Sequence, residues 1–395
     1  MNRQNPLPVF IGTGSQTELR DNPKAGPPWG GAIGPWRRRA LDEPQDSFDL
    51  SDHPEGYSAS PELAEAVNTA IILGKPLLLT GRPGTGKSQL ADRIAWEFNL
   101  SPVLRFEAQS MSESPDLFYR YDLVGQLGAV EMNKAFQSAS GRAGDSGAFT
   151  PTEARPEKFI TFGPLGLAIL RAAPATNAAL LDIAMPDVQA SVRQARPSVV
   201  LIDEIDKASR DFPNDLLNGI ERLEFRIREM HDRLVAAPHD PLLRPIVIIT
   251  SNSERDLPDP FLRRCVYFHI DDPDEATLRK ILLARVFPER YTSETALAGD
   301  DGAPGTALAG PTNLYEDLLK FFSVCRDRYG SEMHYQSGPS ELIDWAKSLR
   351  RIGAPSEGLI RDCIAQVKRT LGAVAKHRED RVLMLQAIDD WVLRK

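Results

Sequence analysis

A hydrophobic strand that runs into a glycine-rich loop and straight on into a helix leaves this chain few folds to choose from. Leu77-Leu78-Leu79-Thr80 is followed by GRPGTGKS, Gly81 to Ser88, and Leu90, Ile94 and Phe98 then recur at helical spacing. A G-x-x-x-x-G-K-S loop in that setting is a phosphate cradle. Backbone N–H groups of the loop and of the helix N-terminus point at anionic oxygens. Gly84 and Gly86 can take positive φ and let the backbone approach closely. Lys87 reaches the β- and γ-phosphates as a point charge, and the Ser88 hydroxyl ligates Mg²⁺. Gly81, Arg82, Pro83, Gly84, Thr85, Gly86, Lys87, Ser88 and Gln89 are the residues expected to line the phosphates. Taken alone, the loop implies nucleotide binding and leaves the task open.

A second element narrows the task. Ser198-Val199-Val200-Leu201-Ile202 has the uninterrupted apolar character of a parallel strand buried on both faces, and it ends in Asp203-Glu204. An acid at a strand tip beside a phosphate loop holds the Mg²⁺ shell. Glu204 is placed to orient and deprotonate an attacking water. Another apolar run, Ile246 to Ile249, ends in Thr250-Ser251-Asn252, a tip whose polar side chains can contact the γ-phosphate or the water. Asp259-Pro260-Phe261-Leu262-Arg263-Arg264-Cys265 then sets two arginines just past a short predicted helix.

With GRPGTGKS, VVLIDEIDKA, IVIITSN and DPFLRRC in hand, the chain resembles the AAA+ ATPases over about residues 57 to 395. Within them it resembles the MoxR-like branch. SMSESPDLFYRYDLVGQ followed by FITFGPLGLAI looks like the helix insertion with a β-hairpin that marks this branch. LLNGIERLEFRI looks like its next helix and a following hairpin, and GPSELIDWAKSLRR like its lid helix. The resemblance implies an α/β fold: a P-loop core with a parallel sheet between helices, plus a C-terminal all-helical lid. It implies ATP and Mg²⁺ as cofactors, Asn252 as the sensor-1 residue, and Arg264, with Arg263 as rival, as an arginine finger reaching a neighbouring subunit. There is one departure. Many relatives carry an arginine after the lid-helix proline, whereas Pro339 is followed by Ser340 and Glu341. Sensor-2 chemistry is therefore absent or supplied by Lys347, Arg350 or Arg351.

The remaining sequence divides around these motifs. Residues 1–56 are rich in Pro, Gly and charge without a sustained period, and read as a largely irregular tail. The tail contains Pro27-Pro28-Trp29 and Pro35-Trp36-Arg37, whose tryptophans are candidate docking anchors. Residues 57–272 read as the ATPase core, with the hairpin insertion at about 107–166 and a mobile Gly/Ser-rich loop from Ser138 to Glu157. Ser60 before Pro61 reads as a helix cap. Residues 273–395 read as the lid. Its first helix starts at Asp272-Pro273 with Glu275, and others follow near 314–329, 339–351, 356–376 and 379–394. Residues 291–312 read as an exposed loop.

Composition excludes some classes. No run of 18 apolar residues is present, so no transmembrane helix is expected. The start MNRQNPLPVF lacks the pattern of a secretory signal, and a cytoplasmic location is expected. Cys265, Cys325 and Cys363 show no C-x-x-C spacing, and Cys325 and Cys363, on apolar helix faces, read as packing thiols. A net charge of −8 argues against a non-specific nucleic-acid binder.

The resemblance implies ATP hydrolysis in a homo-oligomeric ring, a hexamer, that remodels or activates a protein client, often one with a von Willebrand A domain. One alternative is a switch ATPase gating an effector in a bacterial defence or signalling complex. The other is a nucleic-acid-directed motor.

Overall fold

The computed structural model describes residues 10–13, 53–100, 102–139, 155–186, 194–253, 255–287 and 313–394. They fall into two compact units. One comprises Glu65–Leu79 and Leu100–Phe268, the other Met1–Ala64, Thr80–Asn99 and His269–Lys395.

The first unit is built on a parallel sheet. Its strands are β1 (Leu77–Gly81), β2 (Leu104–Glu107), β5 (Val199–Asp203), β8 (Ile246–Ser251) and β9 (Val266–Ile270), in the spatial order β2-β5-β8-β1-β9. The apolar runs read from the sequence become its centre. In β5, Val199 to Ile202 are fully buried and pair in parallel with Ile246 to Ile249 of β8. Unbroken Val/Ile/Leu runs are what a strand covered on both faces requires. Each buried branched side chain contributes about 1.5–3 kcal/mol.

Two smaller hairpins ride on this sheet. β3 (Tyr119–Tyr121) pairs antiparallel with β4 (Ile160–Phe162), and helix α3 (Leu123–Ala139) lies between them in the chain. After α4 (Pro164–Ala172), α5 (Ala178–Ala184) and α6 (Phe212–Arg222), β6 (Glu224–Ile227) pairs with β7 (Arg233–Ala236). Phe225 of β6 packs on Phe118 and Phe162, with centroids at 5.4 and 6.5 Å, and so joins the two hairpins through aromatic contact. Both hairpins match the expectation from sequence. Residues 140–154 of the glycine-rich stretch lie outside the described residues.

The second unit is helical. Helix α1 (Pro61–Leu73) begins in it, and the Ser60 hydroxyl accepts from the Leu63 N–H at 3.2 Å, the expected cap. Helix α2 (Lys87–Glu97) follows the phosphate loop. The C-terminal helices are α8 (Glu275–Val286), α9 (Asn313–Tyr329), α10 (Pro339–Arg351), α11 (Ile364–Thr370) and α12 (Arg378–Arg394); the short α7 (Asp259–Leu262) precedes β9 in the first unit. Leu282, Leu318, Trp345, Leu349, Val367 and Ile388 form part of the lid core.

Three details differ from the sequence reading. The first lid helix is capped by Asp274, whose carboxylate accepts from the Thr277 N–H at 2.8 Å; Asp272 instead pairs with Arg82 at 3.1 Å. The helix expected over 356–376 is broken into α11 flanked by the 3₁₀ turns Ile360–Cys363 and Leu371–Ala373. Tertiary bonding accounts for the break: buried Asp317 accepts from the Ile360 N–H at 3.0 Å, a bond a continuous helix would have replaced. Finally, part of the N-terminal stretch is built in. Phe10 is 1% exposed and packs edge-on against Phe98, and the N–H groups of Ile11 and Gly12 donate to the Glu97 carboxylate at 2.5 and 3.1 Å. Glu97 and Arg93 form a fully buried ion pair at 3.3 Å, so these donors offset a desolvation that pushes the Glu97 carboxyl up. Trp29 and Trp36, and the stretch 291–312, lie outside the described residues.

Candidate functional site

The phosphate loop turns on three glycines. Gly81, Gly84 and Gly86 have φ of +144°, +81° and +89°. At Gly84 two constraints coincide: the backbone is left-handed, and a Cβ would lie 2.2 Å from Ser340 Oγ. A Cβ at Gly81 would lie 2.5 Å from the Ile270 carbonyl oxygen. The Thr85 hydroxyl donates to the Arg82 carbonyl at 2.8 Å and closes the turn. Gly86 is the N-cap of α2, so Lys87 is its first residue. The Lys87 side chain curls back into the loop, 6% exposed, and its ammonium donates to the carbonyls of Gly81 and Arg82 at 2.7 Å each.

Residues from the start of the chain and from the lid surround this loop. The Tyr57 ring approaches Gly86, with Cε2 3.1 Å from where a Cβ would stand, and burial pushes its phenol up. Buried Arg285 of α8 donates to Gln89 Oε1 at 2.9 Å. Ser340, at the start of α10, sits over Gly84. Arg350, one of the expected stand-ins for sensor 2, is bonded to the Val286 carbonyl and stacks on Phe287 at 4.8 Å. The departure seen in the sequence thus leaves a short neutral hydroxyl beside the loop. Ser340→Ala is expected to change ATP turnover by less than about twofold, because a neutral hydroxyl supplies no charge to a phosphate; steady-state kinetics at saturating ATP checks this.

In the other unit, the acidic tip of β5 and the polar tip of β8 are neighbours. The Thr250 hydroxyl donates to Asp203 Oδ1 at 2.5 Å and accepts the Glu204 N–H at 2.9 Å. Asn252 Nδ2 donates to Glu204 Oε1 at 3.0 Å, and Lys207 pairs with Glu204 Oε2. Glu204 itself has φ 54° and ψ 50°, a left-handed conformation uncommon for a residue with a side chain. Asp206, buried, accepts the Asn252 N–H at 3.3 Å. Glu204, Lys207, Glu107, Gln109 and Arg255 border an open cavity of about 480 Å³, so water reaches the Glu204 carboxylate.

Of the residues singled out from sequence, Asp203, Glu204 and Asn252 come together. Arg264 does not join them within one chain: its Nε pairs with Glu221 Oε1 of α6 at 2.6 Å, both side chains half-exposed. Arg263 is exposed, and its carbonyl accepts from Lys75 at 3.4 Å. Sequence reasoning missed the work of Thr250 within the β5–β8 pair, the Lys207 contact and Glu221. Only Lys207 had a legible signal, its position three residues after Glu204.

The Ser88 hydroxyl in one unit and the Asp203 carboxylate in the other are each an oxygen ligand of the kind Mg²⁺ takes. The glycines let the loop backbone take the left-handed turns that side chains would strain. Among the described residues no group of three or more His, Cys, Asp and Glu is arranged to hold a metal. The three cysteines are free thiols raised by burial to about 12 for Cys265 and Cys325 and about 11 for Cys363, as packing thiols would be. No described helix is long and apolar enough to cross a membrane.

Residues 76–265 match the family model of the AAA domain, dynein-related subfamily. No curated protein matches the chain. The parallel sheet with its flanking helices, and the helices C-terminal to it, are consistent with an α/β AAA+ core and a helical C-terminal domain.

Proposed function

From the AAA ATPase domain at residues 76–265, we propose that this chain is a MoxR-like ATPase that hydrolyses ATP in a homo-oligomeric ring and uses the cycle to remodel or activate a protein partner. The ring is a hexamer and the location cytoplasmic in this reading. A von Willebrand A domain protein is the favoured client, and nucleic acid is not the target.

Each residue has a role in the reaction. The loop from Gly81 to Gln89 holds the phosphates through its backbone N–H groups, and Lys87 exchanges the Gly81 and Arg82 carbonyls for phosphate oxygens. Ser88 and Asp203 hold Mg²⁺, which when bound neutralises charge on the β- and γ-phosphates. Glu204 accepts a proton from the water that attacks the γ-phosphorus, and ADP leaves with its β-phosphate oxygen. Asn252 keeps the Glu204 carboxylate aimed and reads the γ-phosphate. Arg264 serves the site of the next subunit.

The observation that carries the reading is the Asn252–Glu204 hydrogen bond at the water-accessible tip of β5, next to Asp203. That arrangement supports a base held in place by a sensor. Turnover measured against protein concentration tests it: a steep rise as subunits assemble is expected, stimulated by the client. A flat dependence would argue against a ring. Proteins captured by a Glu204→Gln trap then identify the client.

Lys87→Ala is expected to weaken ATP binding roughly a hundredfold or more, since the variant loses charge-assisted bonds to two phosphates worth about 1.5–3 kcal/mol each. Calorimetric titration giving wild-type affinity would sink the role of the loop.

One observation favours a second reading, the gating switch. Both Glu204 oxygens already have partners, Asn252 and Lys207, and Ser340 stands where relatives place an arginine. Tightly retained nucleotide with negligible turnover, even when assembled with a client, would select it.

A further inference from the structure

Thr250 lies at the end of β8, fully buried, against the tip of the neighbouring strand. Its hydroxyl makes two bonds, to Asp203 Oδ1 and to the Glu204 N–H. Their direction is fixed. A backbone N–H can only donate, so the hydroxyl accepts there and gives its single proton to the carboxylate. One side chain therefore sets two things. It fixes the rotation of the Asp203 carboxylate, committing Oδ1. It also supplies the acceptor for the N–H of Glu204 in a left-handed conformation that side-chain-bearing residues disfavour.

We infer that Thr250 is a positioning residue for ATP hydrolysis: it aligns the Mg²⁺-shell acid and the backbone from which the base projects, and does not itself touch the phosphate. This rests on the reading of Asp203 and Glu204 given above. It departs, for Thr250, from the sequence expectation that a polar side chain of the β8 tip contacts the γ-phosphate or the water. Asn252, two residues on and hydrogen-bonded to Glu204, remains the group for that task.

Two substitutions separate positioning from packing. Valine keeps the β-branched shape that a buried strand favours and loses the hydroxyl. Serine keeps the hydroxyl and loses a buried methyl, which lowers stability. If Thr250 only packs, valine is the milder change. If it positions, serine is.

Thr250→Val is expected to lower kcat roughly 10- to 100-fold, the effect of stranding a buried donor and a carboxylate. It should raise about tenfold the Mg²⁺ concentration that half-saturates binding of a non-hydrolysable ATP analogue, followed by calorimetry, because Asp203 is no longer fixed. Thr250→Ser should stay within about threefold of wild type on both measures despite a lower Tm. Wild-type values for Thr250→Val, or equal impairment of both variants, would overturn the inference. Should Thr250→Val fail to fold, Thr250→Ala compared with Thr250→Ser isolates the hydroxyl, since both lack the methyl; equal kcat and equal Mg²⁺ dependence would overturn it. Failure of the parent reading has its own signature: a wild-type chain without ATP turnover, or a Glu204→Gln variant at wild-type rate, removes the base assignment, whatever Thr250 does.

Discussion

Glu204→Gln is expected to bind ATP with wild-type affinity and to lose roughly 10²- to 10⁴-fold in turnover, the span that a positioned general base contributes. The amide keeps the shape of the carboxylate, and its oxygen still accepts from Asn252 Nδ2. It cannot accept the proton of the attacking water. On the other side, Lys207 now meets an NH₂ donor where it met Oε2, so that ion pair is lost as well. Because both side chains are partly exposed, the loss of the pair costs little stability, and melting temperature should barely move. Single-turnover kinetics alongside calorimetric ATP binding checks the split. Wild-type turnover would remove Glu204 as the base. Asp206, the nearby carboxylate two residues on, is buried and spends an oxygen on the Asn252 N–H, which makes it a poor proton acceptor for water. Asp203→Asn should behave differently, shifting the Mg²⁺ dependence.

Arg264→Ala is expected to lower turnover roughly 10³- to 10⁵-fold if its guanidinium acts as an arginine finger. Each Arg264→Ala subunit keeps its own loop, Asp203 and Glu204, so ATP binding should persist. Mixing supplies the sharp test. Neither Arg264→Ala nor Lys87→Ala protein should turn over alone. In a mixed ring, the intact site of an Arg264→Ala subunit can face the intact arginine of a Lys87→Ala subunit, and partial activity should return. No recovery despite proven co-assembly would make Arg264 a cis or structural residue. Its partner within the chain, Glu221, sharpens the expectation. To reach another subunit, the guanidinium has to leave a half-exposed ion pair, and such pairs are worth about 0–1 kcal/mol. That is a small barrier beside the charge it would meet on a γ-phosphate. Arg263, exposed beside it, is the control: the same mixing experiment with Arg263→Ala decides between the two.

How much of this was legible beforehand depends on how local each feature is. Runs such as Val199 to Ile202 and Ile246 to Ile249 declare a sheet buried on both faces, because only such a strand needs no polar alternation. The loop is legible because phosphate chemistry demands glycine at fixed spacing, and Gly84 and Gly86 do adopt positive φ. Ser60 as a cap follows from an equally local rule, whereas the two hairpins were expected from the family resemblance. By contrast, the broken helix at 360–373 was not legible, because its reason is Asp317, 43 residues away and bonded to Ile360. Nor was the clamp of Ile11 and Gly12 on Glu97, since a Pro- and Gly-rich stretch gives no period from which to read packing. The same holds at the site. Sequence by itself singled out the candidates: Lys87, Ser88, Asp203 and Glu204 by motif spacing, and Asn252 by resemblance. Only the tertiary structure decided how they are held, with Thr250 orienting Asp203 and Glu204, Ser340 over Gly84, and Arg264 on Glu221. Motifs encode what a short segment must contain, whereas a hydrogen bond between strands 46 or 47 residues apart depends on register and burial, which no local pattern specifies.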